Sequence, residues 1–283
     1  MDVVLSIAGS DSCAGAGIQA DLKAIAAQGA YGVTAVTAIT AQNTQGVRAV
    51  SAVSVELLEQ QLGSLFDDLP IAAVKTGLLA TASQVRGVAA FLRAHPVDVL
   101  VVDPVMVATS GDRLQAEDCV AAMRQELLPL ATVCTPNHVE LTALVGKELP
   151  QTRDVVAAAQ QLIRDGSGAV VVTGGDRNTA EATDVLVEAT RTSLLGAPRV
   201  DTTFTHGTGC TFSSALACGL AAGAPLQAAV VAAKAYVSEA LQNAIAFGNG
   251  RGALEHFGAI RSRELAAVPE RSNTRQVTVG EYR

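Results

Sequence analysis

A chain of 283 residues, 49% of them apolar, is long enough for one large α/β domain; with aromatics at 3% and no Trp, its core must be aliphatic. The formal net charge of −7 argues against a nucleic-acid partner, because displacing counterions from phosphate needs a basic surface. Five cysteines without a C-x-x-C pair suit no disulfide framework, and the four histidines lack metal-ligand spacing. The most apolar stretch, 219–237, is interrupted by Pro225, Gln227 and Lys234, and the short apolar run after Asp2 is no signal peptide. A cytoplasmic protein with no membrane span is the expectation.

Short β-branched runs alternate with longer helical patterns along the chain. Strands are expected at 3–8, 33–40, 71–75, 97–103, 131–135 and 169–173, followed by a hairpin at 183–188 and 191–200. Helices are expected at 17–28, 54–67, 81–94, 115–127, 137–145, 151–165, 208–222 and 225–246. Runs such as Val99-Leu100-Val101-Val102 are apolar without a break, as parallel strands covered on both faces should be. The pattern predicts a mostly parallel central sheet flanked by helices, with the hairpin as an antiparallel extension. No linker divides the chain, so residues 1–265 are expected to form one domain and 266–283 a polar C-terminal segment.

In open α/β sheets ligands bind beyond the carboxyl ends of the strands, where this chain places its glycine-rich and polar segments. Gly15-Ala16-Gly17-Ile18-Gln19-Ala20 fits a dinucleotide fingerprint, but that mechanism needs an acid at the end of the second strand to hold a ribose hydroxyl. From Leu22 to Val55 there is no Asp or Glu, so the NAD reading fails. His206-Gly207-Thr208-Gly209-Cys210-Thr211 opens a long Ala/Leu helix, and its backbone N–H groups can converge on an anion. Cys210 sits in the first turn, where the helix terminus is expected to lower the thiol and supply a base. Asn137 and Glu140 have the spacing of a capping box; the alternative places Glu140 beside Asp103 as a magnesium ligand. Asp21, one turn after the glycine loop, is read either as a ligand contact or as a solvated helix carboxylate. Gln42 follows the second strand, and a side-chain amide donates and accepts in one plane, which suits the edge of an aminopyrimidine or pyridine ring.

Together these residues resemble the ribokinase superfamily, and within it the hydroxymethylpyrimidine/phosphomethylpyrimidine kinases. The matching segments begin with Ile7-Ala8-Gly9-Ser10-Asp11, the glycine loop through Lys23, and Thr37-Ala38-Ile39-Thr40-Ala41-Gln42-Asn43-Thr44. Lys75-Thr76-Gly77-Leu78-Leu79, Asp103-Pro104-Val105-Met106, Ser110-Gly111-Asp112, Thr135-Pro136-Asn137 and His206 through Thr211 follow in the family's order, with Gly250-Arg251-Gly252 near the end. The resemblance implies a ribokinase-like α/β fold. It implies phosphorylation of 4-amino-5-hydroxymethyl-2-methylpyrimidine and then of its monophosphate, with ATP and Mg2+, by a homodimer. It also implies Gln42, Asp21, Gly9 and Val105 around the pyrimidine, Cys210 as base, and the amides of Gly207, Thr208 and Gly209 on the transferred phosphoryl group. Asn137, Thr173 and Gly175 would lie along ATP, and Asp103 and Glu140 would hold the metal. Thr173 stands where the family often has Lys, Leu78 where it has Met, and Arg251 where it has His. A pyridoxal kinase of the same fold is the main alternative, and a non-catalytic metabolite sensor the next.

Overall fold

The computed structural model describes residues 1–106, 118–175 and 181–258. The first half of the chain runs β1 (Val3–Asp11), α1 (Gly17–Ala27), β2 (Tyr31–Asn43), β3 (Gly46–Ala52), α2 (Val55–Phe66), β4 (Ile71–Thr76), α3 (Ala82–Ala94) and β5 (Leu100–Val102). The second half runs α4 (Cys119–Ala122), β6 (Val133–Cys134), α5 (His138–Val145), α6 (Thr152–Arg164) and β7 (Val170–Val172). The hairpin β8 (Glu181–Val187) and β9 (Thr192–Pro198) and the helices α7 (Thr208–Ala221) and α8 (Leu226–Gln242) complete it. One sheet is formed, in the order β3-β2-β1-β4-β5-β6-β7-β8-β9. From β2 to β7 all neighbours pair in parallel; β3, β8 and β9 are antiparallel.

Period-two alternation sorts the aliphatic strand residues onto two faces. Leu5, Ile7, Leu100, Val102, Val170 and Val172 pack under α2, α3, α5 and α6. Val4, Val101, Val133 and Val171 face α7 and α8, where Phe212, Leu216 and Val230 complete the layer. The Ala-rich composition acts here: a Cβ on Gly219 would sit only 3.1 Å from that of Ala229, so α7 and α8 approach closely over small residues.

Two elements depart from the sequence reading. β2 continues past residue 40 and turns back as β3, a strand not expected; Arg48 to Ala52 are exposed, so β3 has no buried face to reveal it. The helix expected over 115–127 is described only from Cys119; after Ala122 it passes into a π-helix over Met123–Leu127 and a 3-10 turn over Leu128–Leu130. Ser110-Gly111-Asp112 and the segment 266–283 lie outside the described residues. No described helix is long and apolar enough to cross a membrane.

The chain leaves β1 for β2 on one side and returns to β4 on the other, so the order reverses between β1 and β4. A crevice opens at such a switch point, beyond the carboxyl ends of the strands. Gly9 to Asp11, Thr76-Gly77 and Asp103 all lie at that edge.

Candidate active site

Two glycine turns meet at the centre of this edge. Asp11 ends β1 and gathers the loop behind it, accepting the N–H groups of Cys13, Gly15 and Ala16 at 2.8, 3.0 and 2.8 Å. His206 Nε2 lies 2.8 Å from the same carboxylate. Although burial opposes it, the His206 and backbone hydrogen bonds hold the Asp11 carboxyl below its ordinary value. Gly207, at φ 85°, caps α7 in the left-handed region, and a Cβ there would overlap the Gly15 carbonyl, so only glycine lets the two turns close.

No side chain caps α7. The Thr208 amide leans on the Thr205 carbonyl at 3.3 Å, which leaves Gly209 and Cys210 as the better-presented N–H groups of the expected cradle. Cys210 is half-buried, and the Gly17 N–H bonds its sulfur. The expectation of a lowered thiol is reversed. Burial pushes Cys210 up to about 12, with Asp21 and Asp103 adding to the rise against the pull of Lys75 and the Gly17 N–H. The resting sulfur is therefore S–H. In a Cys13→Ser background, which removes the other half-buried thiol, iodoacetamide labelling of Cys210 is expected to keep rising with pH to beyond about pH 10. A plateau near neutral pH would contradict this.

Beneath Cys210 lies a buried ionic network. Lys75 on β4 reaches Asp21 on α1 at 2.8 and 2.9 Å, and both side chains are wholly inaccessible. Ser6, the register partner of Lys75 on β1, donates to Asp21 at 2.6 Å, and Ser214 of α7 donates at 2.9 Å. Asp21 is thus not the solvated helix carboxylate that was one of its two readings. It does not face solvent, and its oxygens are engaged by Lys75, Ser6 and Ser214. Its place is to hold Lys75.

Ser213, next on α7, donates to Asp103 at 2.9 Å, and Asp103 Oδ2 would stand 3.8 Å from a Cβ on Gly209. Burial pushes Asp103 up to about 6, although Lys75 and the Ser213 hydrogen bond pull it down. The Asn137–Glu140 capping box forms: Glu140 Oε2 accepts the Asn137 N–H at 2.9 Å and Asn137 Oδ1 accepts the Glu140 N–H at 2.8 Å. Asp103 and Glu140 both act electrostatically on the buried Cys134 thiol, pushing it up further after burial itself, so the two carboxylates share one neighbourhood. Asn137 bridges to Thr173, whose N–H bonds the Pro136 carbonyl at 3.0 Å; Gly175 follows, its carbonyl 3.0 Å from Arg199 Nη1.

Gly9, Leu78, Ala38 and Val105 form a small apolar floor: a Cβ on Gly9 would meet Leu78 at 3.0 Å. Gln42 stands at the rim on β2, its backbone fixed by Ser12 through hydrogen bonds of 2.7 and 2.9 Å. Around it opens a cleft of about 360 Å³, lined by Thr44, Thr203, His206, Gly250 and Arg251 among others, with no carboxylate among the described lining residues. Thus Cys210, Gly207 and Gly209 join Asp103, Gly9 and Val105 gather around Leu78 and Ala38, Gln42 lines the cleft, and Asn137, Thr173 and Gly175 lie toward β6 and β7. Sequence reasoning assigned no role to Asp11, Lys75, His206, Ser213 or Ser214. Lys75 had a signal, a lone cation directly after the apolar run Ile71-Ala72-Ala73-Val74.

A switch-point crevice with a glycine-capped helix start, a neighbouring acid and a ring-sized recess defines a ribokinase-like small-molecule kinase. The family model described as phosphomethylpyrimidine kinase matches residues 11–255, and the chain belongs to that family. A hydroxymethylpyrimidine/phosphomethylpyrimidine kinase of Rhizobium meliloti is 47% identical over 258 residues, covering 90% of this chain and 97% of the relative. Among solved structures, the ADP complex of Bacillus subtilis pyridoxal kinase is similar at TM-score 0.86 and 35% identity, over 92% of this chain and 99% of the other. The phosphomethylpyrimidine kinase of Clostridium difficile is similar at TM-score 0.76 and 35% identity, over 85% and 100%.

Proposed function

We propose that the chain transfers the γ-phosphoryl group of ATP to 4-amino-5-hydroxymethyl-2-methylpyrimidine and then to the resulting monophosphate, serving thiamine biosynthesis. The observation that carries the reading is the uncapped start of α7, with Cys210 against the Gly17 amide and Asp103 facing Gly209. Amides fixed in that way stabilise charge on a phosphoryl group in flight without reorganising. The acceptor oxygen forms its bond to the γ-phosphorus while the bond to the β,γ-bridging oxygen breaks. The electron pair of that bond leaves with ADP; when the acceptor is the alcohol its proton passes to the Cys210 sulfur, whereas the monophosphate attacks through an oxygen that is already ionised. That last transfer needs the thiolate, so the positive field of Lys75 under the sulfur matters to the step.

The residues present fit a nucleotide with magnesium. Asp103 is a nearly inaccessible carboxylate raised by burial, and the hydroxyls of Thr76 and Thr135, at the ends of β4 and β6, are buried without a hydrogen-bond partner. Such an edge suits a cation and polar ligand oxygens. Asp103 and Glu140 would hold Mg2+, which supplies positive charge to the phosphates when bound. Asn137, Thr173 and Gly175 would line the nucleotide. A cytoplasmic homodimer is part of this reading.

An ADP-release assay comparing the pyrimidine alcohol, its phosphate and pyridoxal tests the proposal. Both pyrimidines are expected to exceed pyridoxal in kcat/KM by at least about 10-fold. The likeness to pyridoxal kinases, that of Bacillus subtilis among them, favours pyridoxal instead, and an equal or better kcat/KM for pyridoxal would decide for it.

A further inference from the structure

The geometry points to His206, held by Asp11, as a positioning residue that fixes which way round the Gln42 amide faces the acceptor and so selects an aminopyrimidine edge. The inference rests on the proposed function, in which Gln42 reads the ring, and deepens it by naming what makes that reading directional.

His206 Nε2 lies 2.8 Å from Asp11 Oδ2 and 3.3 Å from the Gln42 amide position placed as Nε2, an O/N assignment that the hydrogen-bond network decides. Asp11 is engaged as an acceptor only, by three backbone N–H groups of its own loop. An ionised carboxylate offers no hydrogen, so Nε2 carries one and donates it to Asp11. An amide NH2 turned toward that Nε2–H would set donor against donor. The amide therefore presents Oε1 to the imidazole and turns its NH2 away from it. Asp11 sets the tautomer, and the tautomer sets the amide.

Oε1 keeps a second lone pair beside the NH2 donor, and this acceptor–donor pair in one plane complements a ring nitrogen flanked by an exocyclic amino group. Pyridoxal has no amino group beside its ring nitrogen. Without the imidazole the amide could present either face, and half of its orientations would set its oxygen against a ring nitrogen. The surroundings hold both partners in place. Ser12 fixes the Gln42 backbone, and a Cβ on Gly15 would overlap the imidazole, so only glycine admits His206 to this position.

The test is a double-mutant cycle on wild type, His206→Phe, Gln42→Ala and the pair, with His206→Gln as the conservative variant. His206→Phe is expected to raise KM for the pyrimidine alcohol about 10-fold, with kcat and KM for ATP within about threefold. In the Gln42→Ala background the same change should add less than about twofold. His206→Gln keeps an N–H that can serve both Asp11 and the Gln42 oxygen, and should recover most of the KM. Calorimetric Kd values for the alcohol without ATP read the same cycle independently of turnover. An additive cycle, or an unchanged KM in His206→Phe, overturns the role of His206 alone. Binding with an intact cycle but no turnover in the wild type overturns the proposed function alone, and no binding by the wild type overturns both.

Discussion

Cys210→Ala is expected to lower kcat by about 10²–10⁴-fold while KM for the pyrimidine alcohol and for ATP stays within about threefold. In the proposed reaction the sulfur takes the acceptor proton and belongs to neither the apolar floor nor the nucleotide edge, so its loss should fall on the chemical step. The remaining rate comes from the amides of α7 and from orientation, which the substitution leaves in place. The raised thiol sharpens the test. A sulfur at about 12 in the resting chain is a poor base at neutral pH, so activity must be accompanied by its deprotonation as the site fills. The iodoacetamide profile of the resting chain and the pH–rate profile of the working enzyme should then differ, with the acid limb of kcat far below the labelling limb. Cys210→Asp should restore part of the rate, because a carboxylate needs no such lowering. A Cys210→Ala enzyme that turns over within about 10-fold of wild type would remove the sulfur from proton transfer.

The sheet was legible because its signal is local. A parallel strand buried on both faces must be largely apolar; β5 and β7 are so without a break, and β1 is interrupted by Ser6 before its polar end. The capping box on α5 was equally legible, since Asn137 and Glu140 satisfy each other's backbone within one turn. β3 was not, because hydrogen bonds to β2 hold it while its side chains face outward, so no hydrophobic alternation marks it. The failures in the site share a different cause. Asp21 pairs with Lys75, 54 positions away, and His206 with Asp11, 195 positions away. Local spacing can flag a carboxylate near a glycine loop, but it carries no information about the cation that folds onto it. Cys210 shows the limit of a local rule outright. Its place in the first turn of a helix favours the thiolate, and burial beside two carboxylates outweighs that.

Lys75→Met is expected to have the largest effect on stability, a loss of about 3–5 kcal/mol in denaturant unfolding, because it leaves Asp21 ionised in the core with only Ser6 and Ser214 as donors. Lys75→Met combined with Asp21→Asn should recover most of that loss, since a neutral amide with hydroxyl partners carries no uncompensated charge. Turnover separates two roles for the pair. If Lys75 merely neutralises Asp21, the refolded double variant should match wild type. Lys75 also opposes the burial that keeps the Cys210 thiol protonated, and Asp21 ties it through Ser214 to the helix face one turn below the sulfur. The double variant should therefore fold yet remain at least about 10-fold below wild type in kcat, with its acid limb moved to higher pH. The sign follows from the larger of two opposed effects: Lys75 lowers the thiol more than Asp21 raises it, so removing both still raises the pH at which the thiolate forms, by the difference, and activity is lost at the acid side first. A double variant with wild-type kcat and an unmoved limb would confine Lys75 to the core.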